Sequence, residues 1–80
     1  MSISAIAYVT TESNGQEVTL RFDGRKEKHF GEVEIVDIEL SQIEADTMAY
    51  EKFDFVDEFG AKEWDRLEAM YADVTDWEAY

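Results

Sequence analysis

The sequence predicts an α+β fold: a three-stranded antiparallel β-meander followed by one or two C-terminal helices packed on its apolar face. Three observations predict it. The first 40 positions read as sheet, with β-branched and aromatic residues at 3–11, clean apolar–polar alternation at 17–23 and an Asn-Gly turn signal between them. From Ser41 the apolar spacing becomes helical. Eighty residues without proline, repeat or linker leave room for one domain, with a β part at 1–40 and an acidic helical part at 41–80 layered on one core.

The first strand is Ile3 to Thr11, rich in β-branched and aromatic residues. Ser13-Asn14-Gly15-Gln16 follows, and Asn-Gly suits a tight hairpin because both turn residues must accept positive φ. Glu17 to Asp23 then alternates, with Val18, Leu20 and Phe22 on one face. Asp23-Gly24 is a candidate second turn, with Arg25-Lys26-Glu27-Lys28 at its tip or on its return, and Gly31 marks a break before the third strand, Glu32 to Leu40. In that strand Val33 and Ile35 are out of phase with Val36, Ile38 and Leu40. A β-bulge at Ile35-Val36 restores all five to the core and sends Glu32, Glu34, Asp37 and Glu39 to solvent.

Ser41-Gln42-Ile43-Glu44 fits a capping box and predicts a helix start, continued by Ala45, Met48, Ala49 and Phe53. Residues 53–60 fit no single stripe, so a kinked helix and a loop both remain open, with Gly60 as a helix C′ residue. Ala61 to Asp73 is amphipathic, with Trp64, Leu67, Tyr71 and Val74 as its stripe and Lys62–Asp65 and Glu63–Arg66 as i,i+3 ion pairs. Thr75-Asp76-Trp77-Glu78 repeats the capping pattern too near the end to form a helix.

Charge is the strongest functional signal. Residues 1–31 hold four acids and four bases, whereas residues 32–80 hold sixteen acids against three bases and carry the whole net charge of −13. High charge unfolds a chain only where apolar content is low. Here 45% of residues are hydrophobic and 14% aromatic, enough for a core. The sign disfavours direct contact with nucleic acid or an anionic membrane and favours a basic protein partner. A homodimer through an unpaired edge strand is a further expectation. The absence of Cys excludes disulfides and fits a reducing compartment, and Met1-Ser2-Ile3-Ser4 has neither the basic start nor the apolar run of a leader. A cytoplasmic protein is expected.

Catalytic chemistry lacks parts. His29, the single His, sits in a basic turn with no Ser placed near it by any motif, and the four Gly residues form no phosphate loop. Asp54-Phe55-Val56-Asp57-Glu58 concentrates three carboxylates, but an EF-hand counted from Asp54 puts Phe59 at the glycine position and Asp65 at the glutamate position. No metal site, no cofactor and no enzymatic activity is expected.

Residues 41–80 carry a net −9. Folded as a helical hairpin at ~1.5 Å per residue, they present one net charge per roughly 3.3 Å, close to the ~3.4 Å per charge of a DNA strand. Glu44, Asp46, Glu51, Asp54, Asp57, Glu58, Asp65, Glu68, Asp73 and Asp76 are the candidate phosphate surrogates, with Phe53 and Phe55 as an aromatic anchor among them.

In size, charge and β-then-α order the chain resembles the small acidic proteins with which phages disarm host defences, the anti-CRISPR and anti-restriction DNA mimics. The resemblance implies an inhibitor that occupies a DNA- or RNA-binding channel without catalysis. The alternative is an acidic adaptor, antitoxin or assembly protein that binds a basic partner without imitating nucleic acid.

Overall fold

Strand alternation persists further along the chain than the sequence pattern implies, and the computed structural model, which describes residues 2–79, has five strands. They are β1 (Ser2–Ser13), β2 (Gln16–His29), β3 (Glu32–Ala45), β4 (Met48–Tyr50) and β5 (Glu78–Ala79). They form one antiparallel sheet in the order β4-β3-β2-β1-β5. Two helices, α1 (Lys52–Phe59) and α2 (Ala61–Glu68), and a 3-10 segment (Ala69–Asp73) follow β4. The fold is thus α+β with helices after the meander, but with five strands rather than three.

The expected hairpin at Asn14-Gly15 is present, with both residues at positive φ (52° and 79°) and Ser13 opposite Gln16. The second turn is displaced from its expected place. Asp23-Gly24 lies inside β2, and the chain reverses at Phe30-Gly31 (φ 50° and 88°). The basic run therefore lies along a strand. Gly24 serves a bulge: Asp37 and Ile38 of β3 both face it, since Asp23 pairs with Glu39 and Arg25 with Val36. A Cβ at Gly24 would lie 3.0 Å from Ile35 Cγ2 and 3.3 Å from the Val36 carbonyl oxygen. The bulge predicted at Ile35-Val36 thus falls two residues later, with Asp37 at φ 53°. Glu32, Glu34, Asp37 and Glu39 are all exposed, but of the five apolar residues expected in the core only Leu40 is buried, Val33 being exposed and Ile35, Val36 and Ile38 half-buried.

A second bulge explains the largest correction. Phe22 pairs with Leu40 and Arg21 with Gln42, which leaves Ser41 as an extra residue, its Oγ donating to the Arg21 carbonyl at 3.1 Å. The predicted N-cap serine therefore satisfies a bulge, not a helix. Beyond it Ile43 and Ala45 are buried and Glu44 is exposed, strand alternation that outcompetes the capping box. Asp46-Thr47 turns the chain into β4, and the division at residue 40/41 does not hold.

One face of the sheet carries the core. Val18, Leu20, Phe22, Leu40, Ile43 and Ala45 meet Tyr50, Phe55, Trp64 and Leu67, with Val9, Ile38, Val56, Phe59, Met70, Val74 and Trp77 packed around them. The rings form a cluster: Tyr50–Phe55 at 6.1 Å edge-on, Phe55–Phe59 at 4.8 Å and Phe55–Trp64 at 5.8 Å. The molecule measures 43 × 19 × 19 Å. Its length comes from the 14-residue strands β2 and β3, whose distal ends around Phe30-Gly31 project past the core as an arm.

Candidate acidic interface

Helix α1 starts after Glu51, whose extended backbone (φ −81°, ψ 168°) places its carbonyl to accept the Phe55 N–H at 3.0 Å. It ends at Gly60, where φ of 96° lets the Gly60 N–H reach the Val56 carbonyl at 2.9 Å. The segment left open between helix and loop is therefore a helix. Its inner face is Phe55, Val56 and Phe59. Its outer face is Phe53, Asp54, Asp57 and Glu58, all exposed. This geometry separates the expected aromatic pair: Phe53 is 80% exposed, whereas Phe55 is 1% exposed at the centre of the ring cluster. Two positions apart on a helix is about 200°, so they cannot share a face. Phe55 is a core residue and not an anchor.

The carboxylates of α1 sit against local helix energetics. Asp54 lies in the first turn, where the helix dipole favours it, but Asp57 and Glu58 occupy a last turn that holds no base. Asp54 and Glu58 are also like charges at i,i+4. Each such placement costs a few tenths of a kcal/mol, up to about 1 kcal/mol beside a helix end. The Glu58 carboxylate also bears on Tyr50: burial first, then Glu58, holds the phenol above its ordinary value.

Helix α2 has such placements too, with Lys62 in its first turn and Asp65 and Glu68 in its last, but it adds a pair that follows the dipole. Glu63 lies in its first turn and Arg66 in its last, joined by Arg66 Nε and Nη2 donating to the two Glu63 oxygens at 2.7 Å each. Arg66 Nη2 also donates to the Glu12 carbonyl at 3.1 Å, and the Ser13 hydroxyl donates to Glu63. This clamp ties α2 to the β1–β2 turn. Hydrogen bonds from Arg66 and then Ser13 hold the Glu63 carboxyl down to about 2. The i,i+3 pair was legible in the sequence; its reach to Glu12 and Ser13, 50 or more residues away, was not.

Of the ten expected surrogates, nine are exposed and Glu68 is half-buried. Asp54, Asp57, Glu58 and Asp65 lie on the helical layer, flanked by Glu51, Glu68 and Asp73. Asp46 is in the β3–β4 turn and Asp76 in the irregular stretch before β5. Glu44 does not join them: it alternates with the buried Ile43 and Ala45, so it belongs to the opposite, open face of the sheet, where Gln42 Nε2 donates to it at 3.2 Å. The even spacing of a folded-back helix over 41–80 is also absent, because ten of these residues lie in strands.

The open sheet face carries mixed charge. Arg21 pairs with Asp23 at 3.1 Å and Arg25 with Glu27 at 3.0 Å and with Asp37. The Asp37 carboxylate, with Glu27 behind it, raises the Arg25 guanidinium further. His29 lies 3.2 Å from Glu27. Among the described residues no group of three or more His, Asp or Glu side chains is gathered to hold a metal ion, and no helix is long and apolar enough to cross a membrane. No family model, curated protein or solved structure matches the chain.

Proposed function

We propose that this chain is a binding inhibitor that lays its acidic helical layer into the nucleic-acid-binding surface of a basic protein or nuclease complex. It acts in the cytoplasm by occupancy, without catalysis, in the manner of anti-CRISPR and anti-restriction DNA mimics. The observation that carries the reading is the outer face of α1, which exposes Asp54, Asp57 and Glu58 together with Phe53 although two of the three acids oppose the helix dipole. Local rules are broken most often at functional sites; Glu58 is partly engaged by the Tyr50 phenol, so Asp57 is the clearest case. Long-range attraction of the −13 chain to a cationic groove supplies the encounter, and Phe53 supplies apolar contact once docked.

The test is affinity capture on the immobilised chain from a cell lysate, followed by elution with duplex DNA, RNA or poly-glutamate at matched charge. Mimicry expects nucleic-acid-binding proteins to be retained, to be displaced by nucleic acid well ahead of poly-glutamate, and to weaken about tenfold or more between 50 and 200 mM salt. Retained proteins indifferent to nucleic acid and salt would overturn it.

The exposure of Phe53 favours a second reading, an adaptor that docks through this aromatic beside the half-buried Val56. Replacing Phe53 by Ala then weakens capture more than neutralising Asp54, Asp57, Glu58 and Asp65 together. The opposite ranking supports mimicry.

A further inference from the structure

β3 is paired with β2 along its length but with β4 only through Ile43, Glu44 and Ala45. Among the described residues, its outer edge from Glu32 to Gln42 therefore has no strand beside it, and alternate backbone N–H and C=O groups point outward unpaired. The bulge at Asp37-Ile38 divides this edge, leaving Glu32–Val36 as a regular five-residue run on the projecting arm.

The register fixes the chemistry on either side of that run. Glu32 and Glu34 share the face of their partners His29 and Glu27, while Val33 and Ile35 share the face of Lys28 and Lys26. Val33 is 64% exposed and Ile35 half-buried, so the second face is apolar at the edge, with two lysines one strand further in. A strand added here meets carboxylates on one side and aliphatic groups, backed by cations, on the other.

We infer that the β3 edge at Glu32–Val36 is a strand-addition site for an extended segment that alternates cationic and apolar residues. Backbone pairing supplies affinity, Glu32 and Glu34 receive the cations, and Val33 and Ile35 receive the apolar side chains. A second copy is the wrong occupant. Two-fold pairing about Glu34 sets that carboxylate opposite itself, between chains that each carry −13. Natural edges are often blunted by lysine or proline. The Glu32–Ala45 strand has neither, and its acids repel identical copies while leaving the backbone open to the opposite sign. The inference goes beyond the helical layer and stands whether or not that layer imitates nucleic acid.

The experiment is amide hydrogen exchange of the full chain, read residue by residue, with four capped octapeptides: alternating Lys-Val, four Lys followed by four Val, alternating Glu-Val, and alternating Lys-Val N-methylated at every residue. The first is expected to slow exchange within Glu32–Val36 about tenfold or more at saturation, and the other three to leave it unchanged. Glu32→Lys with Glu34→Lys is expected to transfer the protection from the Lys-Val to the Glu-Val peptide. Asn and Gln at Asp54, Asp57 and Glu58, which abolish mimicry, are expected to leave it intact. No slowing by the Lys-Val peptide overturns the inference. So does equal slowing by the block peptide, which reports charge adhesion alone, or by the N-methylated one, which cannot complete the ladder.

Discussion

Helices α1 and α2 are eight residues each, adjacent in sequence, packed on the same core and acidic in their last turns, yet only α2 places a base there. In α2 an acid sits at the start and a base at the end, and the two are bonded to each other and to the sheet. In α1 two acids crowd the C-terminal turn with no base there. The same core therefore holds one helix with a polar clamp to the sheet and another whose last turn leaves its acids without a base. The difference separates Glu63 and Arg66, which tie α2 to the sheet, from Asp57, which is exposed beside no base of its own turn.

The contrast is broken most severely through the inner faces. Phe55→Ala removes the ring that touches Tyr50, Phe59 and Trp64 and is expected to cost about 3–5 kcal/mol in urea denaturation. Phe53→Ala, on the same helix, is expected to stay within about 0.5 kcal/mol. Next comes the α2 clamp. Glu63→Gln is expected to cost on the order of 1–3 kcal/mol at neutral pH, because it removes charge-assisted bonds from Arg66. Since the Glu63 carboxyl is lowered from 4.5 to about 2, its contribution is complete above about 4.5 and is lost as pH falls from there toward 2. Thermal midpoints measured through that window should fall in the parent relative to the variant.

A smaller effect is expected at the far end of the arm. Asn14-Gly15 and Phe30-Gly31 both place two residues at positive φ, but Asn tolerates that conformation and Phe does not, and Phe30 is fully exposed with no packing to offset the strain. Phe30→Asn should stabilise the fold by about 1 kcal/mol. The smallest change sharpens the helix comparison itself. Asp57→Asn with Glu58→Gln should stabilise α1 by roughly 0.5 kcal/mol while weakening partner capture, the two signs opposed.

The sequence made the first hairpin legible because Asn-Gly states a turn geometry directly, and made the Trp64–Leu67 stripe legible because helical spacing is long enough there to count. It misplaced the second turn because Asp23-Gly24 carries ordinary turn chemistry, whereas Phe30-Gly31 does not. It turned β3 into a helix because one extra residue at Ser41 breaks strand alternation at the point where Ser41 and Glu44 spell a cap. A bulge is decided by the neighbouring strand: the phase break in β3 signals one near Ile35-Val36, but its place at Asp37-Ile38 follows from the pairing across Gly24. For the candidate interface, the exposure of nine of the ten acids could be read from composition. The burial of Phe55 and the diversion of Glu44 to the other face required the register.

The two tryptophans give the molecule a pair of built-in optical reporters. Trp64 is 1% exposed, packed on Phe55, with its indole N–H buried and, among the described residues, without a hydrogen-bond partner. Its emission should be blue-shifted and should move to the red only when the whole core opens. Trp77, half-buried, immediately precedes the two-residue β5 that lies along Ala5 and Ile6. Its fluorescence follows whether that short terminal strand is seated. With Trp77→Phe the remaining signal isolates global unfolding, so release of the last strand and collapse of the core become separately measurable in one cuvette.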